Sequence, residues 1–173
     1  SRAHTPRVMV NWVTDVPNEQ TGRVAPLEFR FHVAMQGVLG IGGNISTWSP
    51  EERAQAGALV DTYKAIRPLI QHGRQYWLRA PAPIGACGVQ YVAADGAATA
   101  VLMYQVRGLR GQGTRRMRLR GLAAERRYRR DSDGRESSGA ALMAAGLPAA
   151  LVHSGERQPA LDWRSQLQVW RLV

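Results

Sequence analysis

The sequence is poor in cysteine and in lysine, and it lacks long apolar runs. Cys87 is the only cysteine among the 173 residues, so no disulfide can form within the chain. A single thiol leaves the compartment open, and we expect a cytoplasmic protein. No apolar run approaches the ~20 residues that a membrane-crossing helix needs, so we expect no membrane partner.

Acidic residues are also scarce relative to basic ones. The formal net charge is +10, and Lys64 is the only lysine, so arginine carries almost all of the positive charge. Such a charge is compatible with a nucleic-acid partner. The densest arginine set, between Arg107 and Arg130, is not interleaved with aromatic residues, and its residues 116–120 alternate as the solvent face of an antiparallel strand would. We therefore predict a solvated strand face in preference to nucleic-acid binding.

The sequence contains no pattern typical of a metal or cofactor site. None of the histidines has a ligand-like neighbour at helical spacing; they are His4, His32, His72 and His153. Residues 131–134 begin like a calcium-binding loop but lack its terminal glutamate, so we predict a surface turn. The glycines at 40–43 are not followed by the lysine of a phosphate-binding loop. We predict no metal, no cofactor, and a packing role for His32.

The first half of the chain has the pattern of two successive βα units. An apolar, β-branched run at residues 8–13 predicts a buried strand, which Pro17 prevents from continuing. The next apolar segment, residues 24–35, predicts a helix with Pro26 in its first turn. A second buried strand is predicted at residues 38–44, where it enters a glycine loop.

A capping box marks the start of the second helix. Ser49 can cap the helix, Pro50 suits its first position, and Glu52 lies three residues after the cap. The helix should run to about Gln71, and Pro68 should bend or end it. A buried stripe is predicted along this helix at Leu59, Tyr63, Ile66 and Ile70.

The character of the sequence changes at Gly73. Short runs of alternating polarity follow, with turn signals such as Asp95-Gly96 between them, and they predict a small antiparallel sheet or sandwich. The runs lie at 88–93, 99–106, 114–120, 126–130 and 165–173. A short Ala-rich helix is predicted within 138–147, ending at Gly146. We divide the chain into residues 1–73 and residues 74–173.

Two βα units do not make a barrel by themselves. A closed α/β barrel needs eight such units. The apolar faces of only two units would stay exposed, so we expect this chain to be the last part of a longer protein.

Several runs resemble the α-galactosidases of glycoside hydrolase family 36, the melibiase type. The first run includes Thr14-x-Val16-Pro17-Asn18 and later Arg30-Phe31-His32-Val33-Ala34-Met35. The second run is Tyr63-Lys64-x-Ile66-Arg67-Pro68-Leu69-Ile70-Gln71-x-Gly73. Shorter matches follow at 118–122 and 138–147, so the resemblance covers nearly the whole chain.

The resemblance implies an α/β plus all-β architecture, with the last two βα units of a TIM-type barrel followed by a small antiparallel β-sandwich domain. It also implies retaining hydrolysis of terminal α-D-galactosides such as melibiose and raffinose, by a carboxylate nucleophile and a carboxylic acid/base. In the family both aspartates lie on earlier barrel strands, and neither motif occurs here. We therefore assign no catalytic residue and expect the chain to be inactive alone. The implied partners are the galactoside substrate and, since family members often self-associate, a second copy.

Polar side chains follow the first predicted strand, at the edge where α/β barrels carry their chemistry. We predict Trp12, Thr14 and Asp15 at the rim of the galactoside pocket. Trp12, which replaces a histidine common in the family, can stack on a sugar ring or pack within the barrel. Asp15 can be a rim carboxylate or a loop-capping residue. Asn18 is assigned to shaping the turn after Pro17.

Two other functions are compatible with the sequence. The separable β half, with Trp163 and Trp170, could be a non-catalytic carbohydrate-binding or interaction module. The arginine content could instead mark a basic polyanion-binding domain, whose binding would fall steeply with salt. We rank these hypotheses second and third after the α-galactosidase segment.

Overall fold

The computed structural model describes residues 4–80, 86–106, 116–148 and 162–173. His153 and the arginines within 107–115 lie outside these residues. The chain divides into two compact units, Ser1–His72 and Gly73–Val173. None of the helices in the described ranges is both long and apolar enough to span a membrane.

The first unit contains two short parallel strands. Strand β1 is Val10–Val13 and strand β2 is Val38–Ile41, with Val10 opposite Val38. Strand β1 starts two residues later than predicted, because Val8 belongs to a 3-10 turn in which its N–H donates to the Thr5 carbonyl. Strand β2 ends before the glycine loop that we had included in it.

The prediction that β1 is buried is wrong for three of its four residues. Only Val13 is buried, whereas Val10 is 51% and Trp12 is 60% exposed. Parallel sheets are normally covered on both faces. In the described part of the chain the face that carries Val10 and Trp12 has no covering layer.

Helix α1, Leu27–Ala34, connects the two strands and is shorter than predicted. Pro26 has an extended backbone and precedes the helix instead of lying in its first turn. Its ring also disfavours helical backbone at Ala25, which accounts for the later start. Buried residues lie on most sides of this helix; they are Leu27, Phe29, Phe31, His32 and Ala34.

Helix α2, Pro50–His72, begins with the predicted capping box. The Ser49 hydroxyl accepts the Glu52 N–H at 3.1 Å, and the Glu52 carboxylate accepts the Ser49 N–H at 2.9 Å. The buried residues are Ala56, Tyr63, Ile66 and Ile70, while Leu59 is half-buried.

Pro68 does not end α2, because the helix continues to His72. The proline backbone angle suits a helix, and the loss is one N–H donor near the helix end. Burial of Ile66 and Ile70 on either side of Pro68 offsets that loss.

The second unit is built on a six-stranded antiparallel sheet. Its strands are β3 Arg74–Arg79, β4 Ala86–Val92, β5 Ala98–Gln105, β7 Arg127–Arg130, β8 Glu136–Ser138 and β10 Arg164–Leu172. Their order across the sheet is β3-β4-β5-β10-β7-β8. A second, two-stranded sheet pairs β6, Arg116–Met117, with β9, Leu147–Pro148. Strand β3 was missed, because an edge strand that is half-buried throughout has no clear alternation.

The core of the second unit lies between the two sheets. It contains Val92, Val101 and Met103 from the large sheet, Met117 and Leu147 from the small one, and the buried rings of Tyr128 and Trp170. Gly88 lets the Met117 sulfur approach the β4 backbone. Arginines 116, 118 and 120 are exposed while Met117 and Leu119 are buried, which confirms the predicted alternation.

The short helix α3, Gly139–Ala144, lies within the predicted Ala-rich segment. Its cap is Ser138, whose hydroxyl accepts the Ala141 N–H at 3.1 Å. Gly146 has a φ of 68°, the left-handed backbone that ends helices.

Candidate functional site

The carboxyl ends of β1 and β2 place two loops side by side. Parallel strands end at the same edge of a sheet, so the segment after Val13 meets the segment after Ile41. The carbonyl of Val13 accepts the N–H groups of both Gly42 and Gly43, at 3.0 and 3.2 Å. The candidate site is built on this pair of loops.

Asp15 joins the two loops. Its two carboxylate oxygens accept the Asn44 N–H at 3.0 and 3.1 Å. A Cβ added to Gly43 would lie 2.5 Å from one of these oxygens, so a side chain at position 43 would displace the Asp15 carboxylate. In this chain the exposed Asp15 carboxylate therefore caps the loop that follows β2. Loop capping is one of the two roles predicted for Asp15 from the sequence.

Thr14 is held on both sides by its neighbours. Its carbonyl accepts a bond of 2.6 Å from Arg30 Nη1, and its hydroxyl accepts one of 3.0 Å from the Asn18 amide. Arg30 also donates to the Ala25 carbonyl at 3.1 Å. Burial lowers the pKa of Arg30, and the negative charges of Glu52 and Asp15 oppose that effect. Arg30 thus ties the start of α1 to the end of β1.

Asn18 shapes the turn after the cis Val16–Pro17 bond, as predicted. Its side-chain oxygen accepts bonds from the N–H and the hydroxyl of Thr21, at 3.0 and 2.7 Å. Its backbone N–H donates to the Arg23 carbonyl at 2.9 Å. Arg23 in turn donates to the Thr21 hydroxyl at 2.9 Å, so the loop is ordered by its own side chains.

Trp12 projects from β1 across β2. It is paired with Gly40, and a Cβ added to Gly40 would lie 2.6 Å from the indole atom Cε3. At Gly42 the corresponding distance is 3.4 Å. Sequence reasoning placed Trp12 at the rim but missed these glycines, because their relation to the ring depends on the strand register.

The buried histidine of α1 is not a candidate for proton transfer near neutral pH. His32 is 4% exposed, and burial lowers its pKa to about 4. Its imidazole is therefore neutral at pH 7. Across residues 4–80, 86–106, 116–148 and 162–173, no group of three His, Cys, Asp or Glu side chains could hold a metal ion.

The carboxylates of the β7–β8 hairpin are paired with arginines. Glu136 accepts from Arg127 and Arg129 at 3.2 and 2.9 Å. Asp133 pairs with Arg130, whose hydrogen bond lowers the pKa of Asp133 to about 2. On this hairpin the two carboxylates neutralise two of these three arginine charges, while the net charge of the whole chain remains +10.

Trp170 cannot serve as a sugar-binding residue, contrary to the hypothesis of a carbohydrate-binding module. It is 2% exposed and belongs to the core of the second unit. The Arg130 guanidinium lies 5.4 Å from the centre of its ring, a cation–π distance. A ring covered in this way offers no face to a ligand.

Each unit matches the model of a known glycosidase domain. The model of the glycosyl hydrolase family 36 C-terminal domain matches residues 86–170, and the melibiase model matches residues 1–73. Alpha-galactosidase C of Emericella nidulans is 33% identical over 147 residues, which is 85% of this chain and 19% of that protein.

The solved structures that this chain resembles are α-galactosidases, as are its sequence relatives. The galactosidase domain of the α-galactosidase/sucrose kinase AgaSK, an enzyme of Mediterraneibacter gnavus, matches with a TM-score of 0.88 and 30% identity. That match covers 98% of this chain and 23% of the AgaSK structure. A variant of α-galactosidase AgaA from Geobacillus stearothermophilus, in complex with raffinose, matches with a TM-score of 0.83 and 30% identity, over 93% of this chain and 21% of that one. The chain spans about a fifth of the length of the relatives it matches.

Proposed function

This chain belongs to glycosyl hydrolase family 36, and from that premise we propose that it is one segment of a retaining α-galactosidase. Its first unit supplies the last two βα units of a TIM-type barrel. Its second unit is the antiparallel domain that follows the barrel. The substrates are terminal α-D-galactosides such as melibiose and raffinose.

The observation that carries this proposal is the exposed face of the β1–β2 sheet. The two strands are parallel and joined through α1, which is the βα order of a barrel. Barrel strands are covered by helices on one side and by the strands opposite on the other. In β1 only the side that faces helix α1 is covered: Asn11 donates to the Ala34 carbonyl of α1, and Val13 is buried. The opposite side is uncovered, because Val10 and Trp12 are exposed. Additional barrel strands would cover the exposed side.

The catalytic carboxylates are proposed to come from barrel strands outside this chain. A retaining glycosidase needs two carboxyl groups about 5–5.5 Å apart. Glu52 caps α2 and Asp15 binds the Asn44 N–H, while Asp133 and Glu136 pair with arginines. These four carboxylates have structural partners, and neither catalytic motif implied by the family resemblance occurs in this sequence, so we expect the isolated chain to be inactive.

Thr14 and Asp15 are proposed to shape the pocket rim through the loops that they hold. The Asp15 bond to the Asn44 N–H fixes the glycine loop after β2, and the Thr14 contacts fix the loop after β1. An Asp15→Ala change should raise the hydrogen-exchange rate of the Asn44 amide, while Asp61→Ala on the exposed side of α2 should not. An unchanged rate would contradict this role of Asp15.

A chimera tests the proposed function. This chain replaces the segment that it matches in the Geobacillus stearothermophilus α-galactosidase, and hydrolysis of p-nitrophenyl α-galactoside is measured beside the isolated chain. We expect the chimera to be active and the isolated chain to be inactive. A chimera that shows a cooperative melting transition but no hydrolysis would overturn the proposal. Turnover by the isolated chain would overturn the placement of the catalytic pair.

A further inference from the structure

We propose that Trp12, seated on Gly40 and Gly42, is the surface on which the apolar face of the galactosyl unit stacks. This inference rests on the proposed function, because it uses the barrel to which β1 and β2 are assigned. It makes Trp12 a specificity-determining residue and gives the two glycines a defined role.

The direction of the Trp12 side chain follows from strand alternation. Successive side chains of a strand point to opposite faces. Asn11 and Val13 face helix α1, since Asn11 bonds to the Ala34 carbonyl and Val13 is fully buried. Val10 and Trp12 therefore face away from the helices, and in an α/β barrel that face is the interior.

The height of Trp12 in the barrel places it at the catalytic end. It is the residue before Val13, the last residue of β1, and active sites of these barrels lie at the carboxyl ends of the strands. Val10, two residues earlier on the same face, would lie one layer deeper. Trp12 is thus the last interior side chain of its strand.

The two glycines fix the indole across β2. Any side chain at Gly40 would meet the ring, because a Cβ there would lie 2.6 and 2.7 Å from Cε3 and Cζ3. A Cβ added to Gly42 would lie 3.4 Å from Cε3, an ordinary contact, so the ring requires glycine at position 40 and not at position 42. The ring is therefore supported along one side, and this chain leaves 60% of the residue uncovered towards the proposed barrel interior. A side chain that is already held loses little conformational entropy when a ligand binds.

Galactose suits such a surface. Its axial 4-hydroxyl leaves the C–H groups of C3, C4, C5 and C6 on one face, and these hydrogens can contact the negative face of an aromatic ring. Glucose, with an equatorial 4-hydroxyl, lacks so extended an apolar face. Stacking on Trp12 would therefore favour galactosides over glucosides.

The test uses the active chimera and the inhibition constants of free galactose and glucose. Trp12→Phe keeps a flat ring, whereas Trp12→Leu keeps apolar bulk without one. We expect Trp12→Leu to weaken galactose inhibition about tenfold with little change for glucose, and Trp12→Phe to weaken it about threefold or less. If Trp12 served only in packing, Trp12→Leu would weaken galactose inhibition no more than Trp12→Phe does.

Glycine variants supply an independent measurement. Gly40→Ala should displace the ring and weaken galactose inhibition as Trp12→Leu does, and the two changes combined should not add. Gly57→Ala, whose Cβ would meet nothing within 4 Å on α2, is the matched control. Melting temperatures of all variants show whether each one folds.

The outcomes separate this inference from the proposed function. A folded chimera with Trp12 that does not hydrolyse galactosides overturns the function itself. An active chimera in which Trp12→Leu and Gly40→Ala leave the ratio of the galactose and glucose inhibition constants unchanged overturns only the stacking role of Trp12.

Discussion

The two units use β-sheet in opposite ways. In the first unit two parallel strands of four residues pair with each other, and half of the β1 side chains are exposed. In the second unit six antiparallel strands share a core with a smaller sheet, and this core includes the fully buried Tyr128. Antiparallel strands can assemble a core from neighbouring hairpins, whereas parallel strands need further layers on both faces. The second unit therefore has a core between two sheets, whereas one face of the first unit's sheet is left uncovered by the described residues.

The same substitution in each unit gives the largest expected contrast. Trp170→Ala removes a ring from the core of the second unit and should cost about 3–5 kcal/mol of unfolding free energy. Trp12→Ala, at an exposed position, should change it by about 0.5 kcal/mol or less. Urea denaturation of the whole chain measures both values. Equal losses would show that the first unit has a core as complete as the second.

Acid should weaken the first unit before the second. Because His32 has a folded pKa of about 4, below its ordinary value of 6.5, its neutral form contributes stability above pH 6.5 that is lost as the pH falls towards 4. The Asp133 pKa of about 2 lies below its ordinary value of 3.8. The stability contributed by the Asp133 carboxylate is therefore lost only as the pH falls from 3.8 towards 2.

Helical circular dichroism, which reports mainly on α1 and α2, should therefore fall between pH 6.5 and 4 before the β-sheet signal changes. His32→Gln should remove this step, and His72→Gln, at an exposed position, should keep it. A single acid transition shared by both units would contradict the expected order.

Helix capping gives a smaller, local contrast. Ser49→Ala removes the capping hydroxyl of the 23-residue helix α2 and should cost about 1 kcal/mol. Ser138→Ala removes the corresponding bond of the six-residue α3 and should lower the stability of the second unit by a similar amount. Thermal melts followed at helical and sheet wavelengths assign each loss to its unit. A loss that appears in both units at once would mean that they unfold together.

Surface ion pairs should have the smallest effect. Glu136→Gln removes the acceptor of Arg127 and Arg129 on the exposed side of the second unit. We expect a slight fall in melting temperature that disappears at about 1 M salt, where the Debye length is about 3 Å. A fall that persists at that salt concentration would contradict a purely screened interaction.

Local signals were the most reliable guide to the fold. The capping box at Ser49 and the alternation across Met117 and Leu119 each depend on a few adjacent residues, and the structure confirms both. Pro68 does not end the helix, because its cost is offset by burial of residues on the same helix, which the local pattern does not include. The strand order could not be predicted from local patterns, because β10 pairs with β5 and with β7, which are both distant from it in the sequence.

The candidate site was predictable in part. Position along β1 indicates that Trp12, Thr14 and Asp15 lie at a strand end. Their contacts depend on register and on loop closure, since the Asp15 partner Asn44 is 29 residues away. The sequence therefore predicts which residues meet at this edge, but the structure is needed to separate a residue that holds a loop from one that presents a surface.

The place of β10 in the large sheet has a consequence for synthesis. This strand, Arg164–Leu172, lies between β5 and β7 and hydrogen-bonds to both. While the chain is being translated, β5 and β7 each have an unpaired edge until β10 has emerged from the ribosome and can pair with both. Unpaired strand edges promote aggregation. Assembly of this sheet thus depends on β10, and a premature stop before residue 164 would release a sheet split into two open halves.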